Sequence, residues 1–304
     1  MRPLHGIGLK LAAVLAFILM QSLIKGAAAH VPPGQVVFFR SFFAIPVIFI
    51  WLAIRGQLSE GVRVQQPMGH VWRGLMGTIA MGLGFAGLLY LPLPEVTAIG
   101  YAAPLLTVIF AAMFLGEVVR GFRIGCVVLG MVGVTVVLAP RLTGLDPHDT
   151  AAAFGAMLVL AGAVFAALAQ VFVRKLVLTE KTPAIVFWFS CTATGLSLLT
   201  IPFGWVWPIG WEWPLLIACG LLGGVGQILL TQAYRYADAS LVAPFDYASM
   251  LFSLLIGYYI FTEVPTLSTL AGAALIILAG CLIIWREAYL GLERGARKVL
   301  TPQG

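Results

Sequence analysis

The sequence predicts an all-α polytopic membrane protein with ten transmembrane helices, arranged as two inverted five-helix repeats around a central cavity. Three observations support this fold class. Hydrophobic residues occupy 61% of the 304 positions and charged residues only 10%, with a mean hydropathy of +1.02. The apolar residues form long runs that short polar segments separate. The two halves of the chain also resemble each other at a nearly constant spacing.

The low charge content identifies the solvent that most side chains face. Soluble domains average about 25% charged residues, so most side chains here are expected to face lipid or other protein groups. The formal net charge of +6 is typical of basic cytoplasmic loops. A lipid bilayer is therefore the expected environment, and no nucleic-acid partner is expected.

Ten apolar runs are long enough to cross a hydrocarbon core of ~30 Å, which takes roughly 20 helical residues. The predicted spans are 7–27, 33–54, 71–90, 95–115, 121–140, 151–173, 183–203, 212–234, 240–261 and 267–285. Only helices and closed barrels satisfy their backbone groups in lipid. Because barrel strands have only about ten residues, these runs are predicted to be helices.

An internal duplication divides the chain into repeats at 7–140 and 151–285, followed by a cytoplasmic tail at 286–304. An offset of 146 residues relates Tyr90 to Tyr236, Tyr101 to Tyr247, Glu117 to Glu263, Gly74 to Gly220 and Gly77 to Gly223. Each repeat has an odd number of spans, so the second enters the membrane with opposite polarity. This predicts mirrored depths, with Tyr101 in the outer part of its helix and Tyr247 in the inner part.

The distribution of basic residues predicts that both termini are cytoplasmic. All of the 18 Lys and Arg residues except Lys25, Arg40 and Arg141 fall on one predicted side of the cytoplasmic membrane. The segment Ala27–Ala28–Ala29 resembles a signal-peptidase site. However, the first span matches the internal sixth span at an offset of 149, which relates Gln21 to Gln170 and Lys25 to Arg174. The first span is therefore expected to remain in the protein.

Several short motifs occur in the same order in a known family. They are Phe39–Arg40–Ser41–Phe42–Phe43–Ala44, Gly116–Glu117, Thr262–Glu263, Gly125–x7–Gly133 and Gly272–x7–Gly280. With the duplication, they resemble the drug/metabolite transporter superfamily, specifically its ten-span EamA-type carriers. The resemblance implies a basket-like fold whose cavity is lined by spans 1, 3, 4, 6, 8 and 9. It also implies transport of small metabolites by alternating access.

The expected function is a secondary transporter that moves a small amphipathic metabolite, with amino-acid export as the leading hypothesis. The segment from Lys25 to Ser41 also resembles carriers of flavins or S-adenosylmethionine, so an uptake carrier for riboflavin or S-adenosylmethionine is the alternative. A channel or a membrane-embedded enzyme is the remote alternative. No Gly-x-Ser-x-Gly motif, Walker loop or paired histidines occur in the spans. No cofactor or metal is expected, and transport would draw on an ion or substrate gradient, with a proton as a candidate coupling ion.

Asp246 is the sharpest single signal in the sequence. It falls roughly 9 Å into span nine at 1.5 Å per residue. An ionised carboxylate there costs a few kcal/mol unless it is hydrated or paired. It would either bind a substrate ammonium or coupling proton in the cavity, or pair with Arg174 or Lys175 and close an inner gate.

Arg40 falls about 10 Å below the predicted outer surface. Its fixed charge could hold a carboxylate or phosphate. It could equally pair with Glu95 at the start of span four. A structural or gating role is the interpretation that its place in a motif favours.

Other polar and aromatic side chains are candidates for the substrate site. Amides could hydrogen-bond a polar ligand or join helices, and aromatic rings suit an apolar or heteroaromatic ligand. These candidates are Gln21, Gln170, Gln227, Phe17, Tyr101, Phe245 and Tyr247. Lys25 is expected to reach the outer interface, and Glu117 and Glu263 are expected to cap spans five and ten.

Overall fold

The computed structural model describes residues 3–300, except 28, 57, 60–62, 116–120, 143–146, 177–178 and 237–242. Within these ranges the regular structure is helical and contains no strand. The predicted first repeat holds α1 (Pro3–Ala27), α2 (Pro33–Phe42), α3 (Ala44–Ile54), α4 (Pro67–Gly87), α5 (Leu93–Gly100), α6 (Ala102–Leu115) and α7 (Gly121–Leu142). The second holds α8 (Pro147–Leu176), α9 (Thr182–Leu198), α10 (Glu212–Tyr236), α11 (Ala248–Phe261) and α12 (Leu267–Leu300). Short 3-10 segments cover Ile201–Phe203 and Ala243–Tyr247.

Seven helical stretches in the described part of the chain are long and apolar enough to cross a membrane. They correspond to predicted spans 1, 2, 4, 5, 6, 8 and 10. Pro183–Leu198 and Phe245–Phe261 are apolar but shorter. The third predicted span lies in α4, which has 21 residues but is not among the seven. Its many glycines, together with His70 and Arg73, lower its mean hydropathy. The protein is thus a polytopic helical membrane protein, and ten complete crossings are not confirmed.

Proline explains two interruptions within the predicted spans. Pro46 has no N–H to donate to the carbonyl of Phe42, and the helix breaks between α2 and α3. Pro104 likewise cannot donate to Gly100, where α5 ends and α6 follows. In span nine the break is the 3-10 segment that ends at Tyr247. As a result, the repeat-related Tyr101 and Tyr247 both lie at helix breaks.

The helices of the two repeats pack against each other in matching pairs. Close packing joins α1 to α10 and α4 to α8, α2 to α9, α5 to α11, and α7 to α12. In terms of predicted spans, the pairs are 1 with 8, 3 with 6, 2 with 7, 4 with 9, and 5 with 10. If each span is replaced by its counterpart in the other repeat, the same five pairs result. The crossing of α7 and α12 is closest at Gly133 and Gly272, where a Cβ atom on either glycine would lie within 2.7 Å of the other's carbonyl oxygen. Helices can approach this closely only where small residues face each other.

Candidate functional site

Tyr101 and Tyr247 meet in the interior of the bundle. Their ring centroids are 5.2 Å apart in an edge-to-face arrangement, and Tyr101 is 8% exposed. Ser249 donates to the carbonyl of Asp246 at 2.6 Å, so the Tyr101 hydroxyl, 2.5 Å from Ser249 Oγ, acts as the donor to it. The two rings therefore meet, although the sequence assigns Tyr101 to the outer part of its helix and Tyr247 to the inner part of its own. The helix breaks bring both residues to the same place between the repeats.

Asp246 lies beside this tyrosine pair and forms an ion pair with Lys10 of α1 at 2.7 Å. The Lys10 side chain is 1% exposed, whereas that of Asp246 is 50% exposed. Lys175 is not the partner and is exposed, and the Arg174 side chain lies outside the described residues. A buried ammonium needs a counter-charge, and this one is supplied by the 3-10 segment before α11.

Lys10 carried a signal that sequence reasoning missed. It lies seven residues before Phe17 and eleven before Gln21, so the three share one face of α1. The charge distribution along the sequence treats Lys10 only as a basic residue near the cytoplasmic end, and so does not show that it shares a helix face with Phe17 and Gln21. Phe17 packs over Gly226 of α10, where a Cβ atom would lie 3.0 Å from the ring.

A second ion pair lies at the other end of α1. Lys25 Nζ is 2.5 Å from Glu263 and donates to the carbonyl of Leu91 at 2.7 Å. The backbone N–H of Leu93 donates to the other Glu263 oxygen at 2.9 Å. Glu263 therefore caps α5 and not span ten, and Lys25 is 15% exposed instead of reaching the interface. Glu117 lies outside the described residues.

Glu95 pairs with Arg141 and not with Arg40. The Arg141 guanidinium donates to both carboxylate oxygens, at 2.6 and 3.0 Å, and the Glu95 side chain is only 4% exposed. A two-point contact of this kind is among the stronger charged hydrogen bonds. It joins the start of α5 to the end of α7. Arg40 is 6% exposed and instead faces the ring of Phe189 in α9.

The other residues predicted to bind substrate show fewer contacts with the tyrosine pair. Gln21, Gln227 and Phe245 are partly buried, while Gln170 is exposed on α8. Within the described residues, Gln170 makes no hydrogen bond that would join it to the tyrosine pair. The part of the chain that the structure describes also brings no three His, Cys, Asp or Glu side chains together as a metal site.

A depression of about 350 Å³ opens at the predicted outer end of the bundle. Its lining residues are Lys25, Ala29, Leu88, Leu89, Tyr90, Leu91, Pro92 and Glu263. The Lys25–Glu263 pair therefore forms part of the wall of this depression. Ion pairs thus join α1 to the chain segments before and after α11.

An apolar helical bundle with broken helices between two repeats is the architecture of a membrane transporter. A model of the EamA-like transporter family matches residues 4–139 and 153–285. The chain belongs to this family. The family and the similar proteins are named as transporters and not as enzymes.

Characterised relatives span nearly the whole chain. A pseudopaline exporter of Pseudomonas aeruginosa is 33% identical and covers 92% of this chain and 96% of its own length. An S-adenosylmethionine uptake transporter of Rickettsia felis is 29% identical, with shares of 93% and 94%. A riboflavin transporter of Vibrio cholerae is 29% identical, with shares of 96% and 97%. A crystal structure with a TM-score of 0.67 at 23% identity covers 94% of this chain and 98% of that one, and it shows the same fold.

Proposed function

We propose that this protein is a secondary transporter of the cytoplasmic membrane, with both termini in the cytoplasm, that moves a small amphipathic metabolite by alternating access. The observation that carries the proposal is the meeting of Tyr101 and Tyr247 at helix breaks, between charge pairs at the two ends of α1. Interrupted helices near the middle of a membrane are where carriers of this kind bind their substrates. Amino acids are the leading substrate class, and export is the leading direction.

Inverted repeats would give the bundle two equivalent conformations. The matching helix pairs support this, because exchanging the repeats preserves the pattern of packing. In a symmetric pair of repeats, each can adopt the conformation that the other holds. The site between them then opens to opposite sides in turn.

The two charge pairs of α1 are the proposed gates. Lys10 and Lys25 are separated by 15 residues, about 22 Å along a helix. The Lys25–Glu263 pair would close the outer side, together with the Glu95–Arg141 pair, whose Glu95 is two residues from the Leu93 that Glu263 contacts. The Lys10–Asp246 pair would close the inner side and place a titratable carboxylate next to the site.

An uptake carrier for a heteroaromatic metabolite is the second candidate. The relative named for S-adenosylmethionine favours uptake, the one named for riboflavin favours a heteroaromatic substrate, and the one named for pseudopaline favours export. Aromatic rings at Tyr101 and Tyr247 are compatible with either substrate class.

Counterflow in proteoliposomes tests the function directly. Purified protein is reconstituted and loaded with unlabelled amino acids, nucleosides, riboflavin or S-adenosylmethionine, and uptake of the same labelled solute is followed. A carrier should show saturable uptake that the internal solute accelerates, whereas protein-free vesicles should not. Flux that neither saturates nor shows counterflow would indicate a channel and contradict the proposal.

A further inference from the structure

Two arginines of the first repeat converge on one aromatic ring of the second. The guanidinium carbon of Arg73 in α4 lies 3.9 Å from the ring centroid of Phe189, and that of Arg40 in α2 lies 5.7 Å from it. Nε of Arg40 and both Nε and Nη1 of Arg73 are buried without a hydrogen-bond partner. Two cations thus share one buried site where helices of both repeats meet.

No described carboxylate neutralises these charges. Each acidic side chain that the structure describes is engaged elsewhere: Glu95 with Arg141, Glu180 with Gln65 and Gln66, Glu212 with His30, Asp246 with Lys10, and Glu263 with Lys25. The other acidic residues of the sequence all fall outside the predicted spans. Within the membrane, the protein's described groups therefore supply no negative charge to this pair.

Glycines leave room for both guanidinium groups. A Cβ atom on Gly77 would overlap Nη1 of Arg73 and lie 2.7 Å from the ring of Phe189. A Cβ atom on Gly223 would lie 3.2 Å from Nε of Arg40. Gly77 and Gly223 are related by the 146-residue offset, so the same position of each repeat is kept clear beside one arginine.

Two like charges held close together with buried nitrogens repel each other and lose hydration, and stacking on a ring offsets only part of that cost. An anion between them would remove the repulsion. The planar donor fork of a guanidinium matches carboxylate and phosphate groups, which accept two parallel hydrogen bonds. Acceptors of this geometry would satisfy the donors that are now unpartnered.

We propose that Arg40, Arg73 and Phe189 form a binding site for an oxyanion, the carboxylate or phosphate group of the transported metabolite. This inference rests on the proposed function and narrows its substrate class to metabolites that carry such a group. The ring of Phe189 lies beside both guanidinium groups, and Gly77 and Gly223 leave space for them.

Thermal unfolding of the purified protein tests binding without requiring transport. Sodium acetate and sodium phosphate are each titrated against sodium chloride at constant ionic strength. A ligand that binds only the folded state should raise the Tm by about 2 °C per tenfold increase in concentration above its Kd. A larger shift with acetate indicates a carboxylate site, and a larger shift with phosphate indicates a phosphate site. An equal shift with chloride alone would overturn the oxyanion assignment.

Matched variants locate the effect. Arg40→Met and Arg73→Met should each abolish the oxyanion-dependent shift, whereas Arg55→Met, which removes an exposed cation, should retain it. Gly77→Ala preserves both charges but places a methyl group against Arg73 and Phe189, so it should weaken apparent affinity at least tenfold. Gly77→Ala also tests the site if an arginine variant fails to fold. Retention of the full shift in Gly77→Ala and either folded arginine variant, or its equal loss in Arg55→Met, would overturn the site.

The counterflow panel separates this inference from the general function. Amino acids and S-adenosylmethionine carry a carboxylate, whereas riboflavin and nucleosides carry neither a carboxylate nor a phosphate. Saturable counterflow of riboflavin that Arg73→Met leaves unchanged would overturn the oxyanion inference and leave the carrier function standing. An arginine-dependent Tm shift without counterflow of any solute would support the site and contradict the carrier function.

Discussion

Lys10 and Asp246 form one ion pair but face different surroundings. Lys10 is almost completely buried, while Asp246 is half exposed. The carboxylate is therefore open to water, whereas the ammonium depends on the protein for its counter-charge. In the proposed mechanism, Asp246 is therefore the member of the pair that would meet a substrate cation.

Asp246→Asn should lower both stability and transport. It removes the carboxylate charge that faces Lys10, which should destabilise the protein by about 1–2 kcal/mol, because the exposed side of the pair is screened. Counterflow should fall at least tenfold. Thermal unfolding and proteoliposome flux measure the two effects.

The double variant Lys10→Met with Asp246→Asn serves as the control. It removes both charges and should recover most of the lost stability without recovering transport. Wild-type flux and wild-type pH dependence in Asp246→Asn would contradict the role assigned to this carboxylate.

At the scale of elements, the helix breaks position the site. The break between α5 and α6 places Tyr101 at a turn, and the 3-10 segment does the same for Tyr247. A continuous helix in either place would rotate the ring away from its partner. Pro104 thus helps to position Tyr101 through the break in the helix.

Pro104→Ala should test the break in span four. The alanine N–H can donate to the carbonyl of Gly100, which favours a continuous helix through Tyr101. We expect an unchanged or higher Tm together with at least a tenfold loss of counterflow.

Pro67→Ala is the matched control, because Pro67 begins α4, where a missing N–H breaks no helical bond. It should preserve both stability and transport. Full transport in Pro104→Ala would show that the break is not required.

At the scale of the whole molecule, the two ends of α1 are expected to be coupled. One rigid helix carries both gate lysines, so opening at one end should accompany closure at the other. Alternating access requires this reciprocal behaviour, whereas two independent gates would produce a channel.

Cysteine labelling can measure that coupling. Leu88 is 2% exposed beside the outer depression. In a background in which the native cysteines are replaced by alanine, Leu88→Cys should react several-fold faster with a membrane-impermeant maleimide when Glu263→Gln weakens the outer pair. It should react more slowly when Asp246→Asn weakens the inner pair.

Leu89→Cys provides the control, because Leu89 is already 40% exposed and should react equally in all variants. Faster labelling of Leu88→Cys in both gate variants would indicate independent gates. That outcome would contradict alternating access.

The sequence predicted much of the fold because the bilayer imposes a simple rule on composition. Apolar runs located most helices, whereas the breaks at Phe43 and Tyr101 became apparent in the structure. The duplication identified Tyr101 and Tyr247 as a related pair. The family resemblance is also confirmed.

The partners of the buried charges could not be read in the same way. Glu263 contacts Leu93, 170 residues away, and Arg73 meets Phe189 across the boundary between the repeats. The sequence places Arg73 among the basic residues of one membrane side, and it offers Glu95 as a partner for Arg40. Spacing along a helix says which residues share a face, but not which face of another helix lies opposite.

By itself, the sequence determined that the chain is a helical membrane protein built from a duplicated unit, because hydrophobicity and local backbone chemistry are properties of contiguous residues. Only the tertiary structure decided that Lys10 faces Asp246, that Lys25 faces Glu263, and that two arginines share one ring. Those contacts depend on how the two halves pack together, and a small rotation of a helix changes the partner of every side chain on it.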